Sequence, residues 1–168
     1  TYDSRDFLPN PYQGIYTKFE QIFFPDFWGN RFQRTEILYR QYNKIWKGAI
    51  LASDLQGIFN YGHTPWSMVA LLGGSYQMRG YYEGRYRDNN LIQAQIEIRQ
   101  HIYNRHGIAI WGGAGNVFPK FDHFKWKETL PTYGIGYRWE FKNRVNVRLD
   151  YGIGKGQSAF YFNIDEAF

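Results

Sequence analysis

The 168-residue chain contains no cysteine and only two methionines. Lack of cysteine excludes disulfides, thiolate metal sites and a thiol nucleophile. It leaves the redox compartment open while suiting an oxidising periplasm. Long apolar runs are missing as well. No stretch approaches the ~20 residues of a transmembrane helix, so a barrel is the remaining way to span a membrane. Catalytic signatures are equally scarce: there is no Gly-x-Ser-x-Gly elbow and no His-Glu-x-x-His helix. The histidines, His63, His101, His106 and His123, show no metal-ligand spacing. The expectation is a protein that is not an enzyme, with no catalytic residues, no metal and no cofactor. Neither an initiator Met nor a signal peptide precedes Thr1, so a processed or truncated N-terminus is expected.

What is abundant is aromatic. Tyr (15), Phe (14) and Trp (6) make up 21% of the chain, beside 18 glycines. That mixture suits pleated strands and tight turns better than helices, which lean on Leu, Ala and Met. The net charge of +5 and pI near 9.3 raise the question of nucleic acid. The Lys and Arg are scattered singly along the strands, however, so no nucleic-acid partner is expected.

Period-two alternation recurs along the chain. Val145, Val147, Leu149, Tyr151 and Ile153 alternate with Asn146, Arg148, Asp150 and Gly152. Tyr133, Ile135, Tyr137, Trp139 and Phe141 alternate with Gly134, Gly136, Arg138 and Glu140, and Lys142 to Arg144 joins the two as a hairpin. Ile92 to Arg99 leads through Asn104 to Gly107 into a strand from Ile108 to Phe118. A final strand, Ala159 to Phe168, would place Phe160, Phe162, Ile164 and Phe168 on one face. Weaker segments lie near Tyr2 and over Ile15 to Phe24, Phe32 to Ile45 and Ala49 to Phe59. About eight strands result, most of them at or above the ~9–11 residues that a tilted membrane strand requires.

A soluble sandwich or a lipocalin-like barrel shares this periodicity with the charged face turned to water. Three features favour a membrane barrel with the pattern inverted. Aromatics gather near expected strand ends, at Phe23, Phe24, Phe27, Trp28, Trp46, Trp111, Trp126, Trp139 and Phe141. Short turns alternate with long ones (Tyr61 to Asn90, Pro119 to Pro131). The sequence also ends at Phe168 directly after an aromatic strand.

The connection 61–90 is too long for a hairpin turn and too bulky for solvated coil. Gly73 and Gly74 before Ser75, and Gly80 after Arg79, permit tight backbone geometry. Arg79 offers a planar fork suited to a carboxylate, and Glu97 lies on the polar side of the next strand. Whether Arg79 is so paired or is one more solvated loop cation stays open from the residues alone.

Leu71-Gly73-Gly74-Ser75 followed by Met78-Arg79-Gly80-Tyr81 resembles the loop signature of the bacterial surface antigen superfamily, which includes BamA, TamA and two-partner-secretion transporters. The resemblance continues through Ile96-Glu97-Ile98, Ala114 to Phe118, Tyr133 to Arg138 and Leu149 to Gly152. The opening Tyr2 to Asp6 with Pro9 to Gly14 is similar to a turn of that family, so the likeness spans essentially the whole chain. The ending, Phe162 to Phe168, most resembles members from Bacteroidetes that have few POTRA domains.

The resemblance implies a sixteen-stranded barrel whose last eight strands are residues 1–168, with loop 61–90 folded into the lumen. It implies that Arg79 meets Glu97 and a second carboxylate on the strand after, which maps near Gly113 and is missing there. The implied function is insertion or translocation of polypeptides at the bacterial outer membrane without covalent chemistry. The seam strand would carry Phe160, Phe162, Ile164 and Phe168, with Gly152, Gly154 and Gly156 letting it peel or kink. Implied partners are outer-membrane lipid, the N-terminal half of the barrel, and client outer-membrane proteins or associated lipoproteins. A barrel serving as anchor or pore for a partner or fused domain is the alternative.

Overall fold

A computed structural model describes residues 1–27 and 30–168, with the side chains of 26–30 excepted. Trp28, expected in an aromatic girdle, lies outside the described residues, as does the Phe27 side chain. The chain forms β1 (Tyr2–Asp3), β2 (Gly14–Phe27), β3 (Asn30–Trp46), β4 (Ala49–Gly62), β5 (Ala70–Leu72), β6 (Tyr86–Asp88), β7 (Asn90–Tyr103), β8 (His106–Phe118), β9 (Leu130–Lys142), β10 (Val145–Gly154) and β11 (Gln157–Ile164). Nine of these make one antiparallel sheet in the order β1-β2-β3-β4-β7-β8-β9-β10-β11. The pair β5–β6 stands apart within the β4–β7 connection.

The architecture is therefore all-β and antiparallel, but the outermost strands do not pair, and the sheet is not closed into a barrel. Closure of eight strands would leave an interior just wide enough for side chains. Here one face instead carries a whole loop.

The sheet is strongly curled toward that face. Ala167 and Phe168, a few residues past β11, share a buried cluster with Tyr42 of β3 and Ala52 of β4. In a flat sheet β3 and β11 would be separated by six strand spacings, about 29 Å at ~4.8 Å each. Four residues of extended chain reach only about 13 Å. Curling brings the two within range.

The two faces of the sheet differ in polarity. The inner face buries Gln93, Gln95, Glu97, Arg99, Arg138, Arg148 and Asp150. Across the outer face run apolar rows in register: Ile110, Ile135, Tyr151 and Phe160, then Ile108, Tyr137, Leu149 and Phe162. Ile135 is 56% exposed and Phe160 and Phe162 are each 66% exposed, whereas Arg148 and Asp150 are at 0%.

Two residues depart from the positions expected of them. Trp111 is no girdle residue: it is buried on the inner face in the middle of β8. Phe168 does not continue the outer row of Phe160, Phe162 and Ile164, because Asp165 adopts a left-handed φ of 67° that ends the strand and turns the chain inward. From there the Asp165 amide donates to Asn146 O at 2.8 Å and the Glu166 amide to Pro9 O at 3.1 Å. Phe168 ends up buried, its main-chain oxygen accepting from Arg99 at 2.6 Å.

Candidate functional site

The β4–β7 connection lies along the inner face and is held by its own small core. Ala70 and Leu72 of β5, with Met78 and Tyr81, pack against Ile58, Leu91 and Leu130 of the wall. Burying side chains of this size contributes about 1.5–3 kcal/mol each for the larger ones. Tyr81 adds directional bonds at its far end: its hydroxyl donates to Pro131 O at 2.7 Å and accepts from the Lys155 amide at 2.7 Å. Gly73 and Gly74 take φ of 106° and 128°, a region open to glycine, and the Gly74 amide donates to Tyr81 O at 3.2 Å. These two glycines thereby fold the loop back on its own tip.

At that tip Arg79 is fully buried. Its guanidinium bridges two strands: Nη2 donates to Glu97 Oε2 on β7, and Nη1 donates to Asp150 Oδ2 on β10 at 2.6 Å. Its Cζ lies over the Trp111 ring, 3.7 Å from the centroid, so that the cation meets an aromatic surface as well as two carboxylates. Thr132 of β9 donates its hydroxyl to the Arg79 main-chain oxygen, and the Gly80 amide donates to the Tyr161 hydroxyl of β11 at 2.8 Å. The loop thus touches β7, β8, β9, β10 and β11 through two consecutive residues.

Close approach makes this possible. A Cβ on Gly80 would fall 2.8 Å from the main chain of Ile153, and one on Gly152 would fall 2.7 Å from Arg79 C and Gly80 N. Gly154 likewise leaves room for the Tyr81 ring. Gly152 and Gly154 are therefore seats for the loop. Gly156, at φ 69°, belongs to the β10–β11 turn.

Around Arg79 the charges form a network. Asp150 also accepts from Arg138 at 2.6 Å and from Arg148 at 2.9 Å. Glu97 accepts from Arg99 at 2.7 Å, and Glu166 from Arg138 at 2.8 Å and from Asn146 at 2.7 Å. Arg148 reaches back to Ser75 O in the loop at 3.0 Å. Such a buried network gains little net stability over an apolar core, since desolvation offsets the attraction, but its members are costly to remove singly. It specifies one docked position for the loop.

Asp150 is the second carboxylate. The resemblance maps that carboxylate near Gly113, where it is missing and where none can fit: a Cβ there would lie 2.6 Å from Ala94 O and 3.1 Å from Gln95. The structure brings together Arg79, Gly80, Tyr81 and Glu97, with Gly73 and Gly74 one turn away. It leaves Phe160, Phe162 and Ile164 on the opposite face, apart from the site. The histidines stand apart as well, with His101 on Asn104 O, His106 on the Tyr137 hydroxyl and His123 on Asp122. Asp150, Trp111, Thr132 and Tyr161 were not singled out as loop contacts from sequence, nor was Glu166 as a member of the charge network behind them. The signal for some of them was present in the paired glycines at successive inner positions of β9 (Gly134, Gly136) and β10 (Gly152, Gly154), which mark where another group comes close.

The chain matches no protein-family model and no curated protein.

Proposed function

We propose that this chain is the C-terminal half of a sixteen-stranded bacterial outer-membrane barrel of the surface antigen superfamily, and that the whole barrel assists insertion or translocation of polypeptides without covalent chemistry. The observation that carries this reading is the docking of Arg79 between Glu97 and Asp150 on the charged inner wall of a sheet whose outer face is apolar. An exposed row of Ile, Tyr and Phe over buried ion pairs is unfavourable in water and favourable in lipid. The edges of the sheet, at β11 and at β2 beyond its short pairing with β1, support further strands completing the wall. Their backbone donors and acceptors need partners in a bilayer. With the wall completed, the loop has a lumen wide enough to hold it.

In this reading the protein's work is strand templating. An edge with unpaired amides offers the incoming polypeptide a hydrogen-bonding partner while the apolar face stays in lipid. The intact protein, incorporated in liposomes, is expected to accelerate the folding of a urea-denatured outer-membrane barrel client, read as the heat-modifiable folded band on gels. It should do so severalfold over empty liposomes. Equal rates in both, with stable ion conductance through the protein, would replace the assembly role by that of a pore or anchor.

A further inference from the structure

A second feature lies away from the docked loop, at the end of the sheet where the turns are short. There a cavity of about 460 Å³ opens between the β3–β4 turn, the β7–β8 turn and the segment after β1. That volume falls in the range of small-molecule sites. Lys44, Lys47 and Arg105 stand around it, and Tyr12, Trp46 and Ile50 supply apolar wall.

Charge is unbalanced here. No carboxylate among the described residues lies within ion-pair distance of Lys44, Lys47 or Arg105, although most arginines of the inner wall are paired. Of the carboxylates lining the cavity, Glu166 is already engaged by Arg138 and Asn146, which leaves Glu140 against three cations. Arg99 and Arg138 line the deep side, 5% and 4% exposed. Arg99 Nη1 has no hydrogen-bond partner, and Arg138 Nη2 has only Glu97 at 3.5 Å.

The rim is also held in place. Trp46 Nε1 donates to Gln100 Oε1 at 2.7 Å, and the His101 amide donates to Gly48 O at 2.8 Å, which pins the Lys47-Gly48 turn to β7. Lys44 sits 5.9 Å from the Tyr12 ring centroid. Cations carried on a pinned rim over an apolar pocket are arranged for an anion that carries an apolar body.

We infer that this cavity binds a phosphate-bearing amphiphile, the phosphate meeting Lys44, Lys47 and Arg105 and the short apolar body lying against Tyr12, Trp46 and Ile50. A phosphate group brings nearly two negative charges and three acceptor oxygens, matching three cations that have no carboxylate within ion-pair distance among the described residues. The assignment is independent of whether the barrel moves polypeptides.

The test uses the intact protein in neutral detergent, titrated with hexyl phosphate, with inorganic phosphate and with hexanol, and followed by calorimetry. Saturable binding of hexyl phosphate at least about tenfold tighter than of either fragment is expected, together with a loss of about tenfold or more in Lys44→Met and Lys47→Met. Lys125→Met, in the long β8–β9 connection, should bind as the parent does. Both lysines at the site are exposed, so these variants retain the fold. Equal affinity for inorganic phosphate, or undiminished binding in both site variants, would overturn the inference. Mass spectrometry of the membrane-extracted protein distinguishes the sources. A co-purifying phospholipid that the Lys44→Met, Lys47→Met pair loses identifies a lipid headgroup, and an unliganded protein that still binds hexyl phosphate identifies a soluble organophosphate.

Discussion

Gly80 and Gly152 meet main chain to main chain, the amide nitrogen of the first only 2.7 Å from where a Cβ of the second would stand. Neither backbone can yield without moving a strand or the loop tip. Gly152→Ala is therefore expected to lift the loop from β10, at a cost of about 1–3 kcal/mol typical of overpacking. Trypsin cleavage after Arg79, buried in the parent, reads this directly. An unchanged cleavage rate and an unchanged urea midpoint would show that the approach is looser than described.

Asp150→Asn and Glu97→Gln each leave a fully buried guanidinium short of a charge. Each should cost about 3–5 kcal/mol in urea titrations of the detergent-solubilised protein. Because both carboxylates hold Arg79, the double variant should lose less than the two single losses combined. Strict additivity would mean that the two ion pairs are energetically separate.

How far the sequence foretold this site depends on distance along the chain. The hairpin of β9 and β10 was legible because Tyr133 to Phe141 and Val145 to Ile153 alternate without a break and have a short polar turn between them. Glu97 was legible because it follows the loop on the next strand. Asp150 lies 71 residues beyond Arg79, and only the register across four strands places it opposite. Alternation misled at Phe168, since it says nothing of the positive φ at Asp165 that turns the chain inward. It was equally silent at Trp111, an aromatic whose value is the flat surface it offers a buried cation.

The exposed apolar face separates two environments. Ile135 sits near the middle of β9 and points outward. In a bilayer Ile135→Arg should destabilise by up to about 2–4 kcal/mol. On a water-facing sheet the same change would stay within about 0.5 kcal/mol. Equilibrium unfolding in phospholipid vesicles tells the two apart, and a near-zero loss would remove the support for a lipid-facing surface.

A pH dependence follows from the turn before β2. Asp6 is partly buried, which works against its charge, but the Tyr12 and Gln13 amides and the Arg144 side chain together hold its carboxyl below the usual range. A lowered folded-state value means that this stabilisation is complete above the unfolded carboxyl range and is lost as pH falls through the folded value. Asp6→Asn should therefore flatten the acid limb of the stability profile while barely changing its shape above neutrality. An acid limb identical to the parent's would assign the sensitivity to other carboxylates.

The bond between Arg79 and Asp150 also orders events in time. Its ends are 71 residues apart, and the enclosed span includes β7, β8 and β9. Loop closure over such a separation is unfavourable until the intervening strands have paired, so it belongs late on the folding route. Until β10 arrives, Arg79 has only one of its two counter-charges and Tyr161 is not yet in place to receive the Gly80 amide. A nascent wall that stops at β9 is therefore left with a poorly anchored plug, and the arrival of β10 and β11 acts as a checkpoint that sets the interior only after the wall has been built.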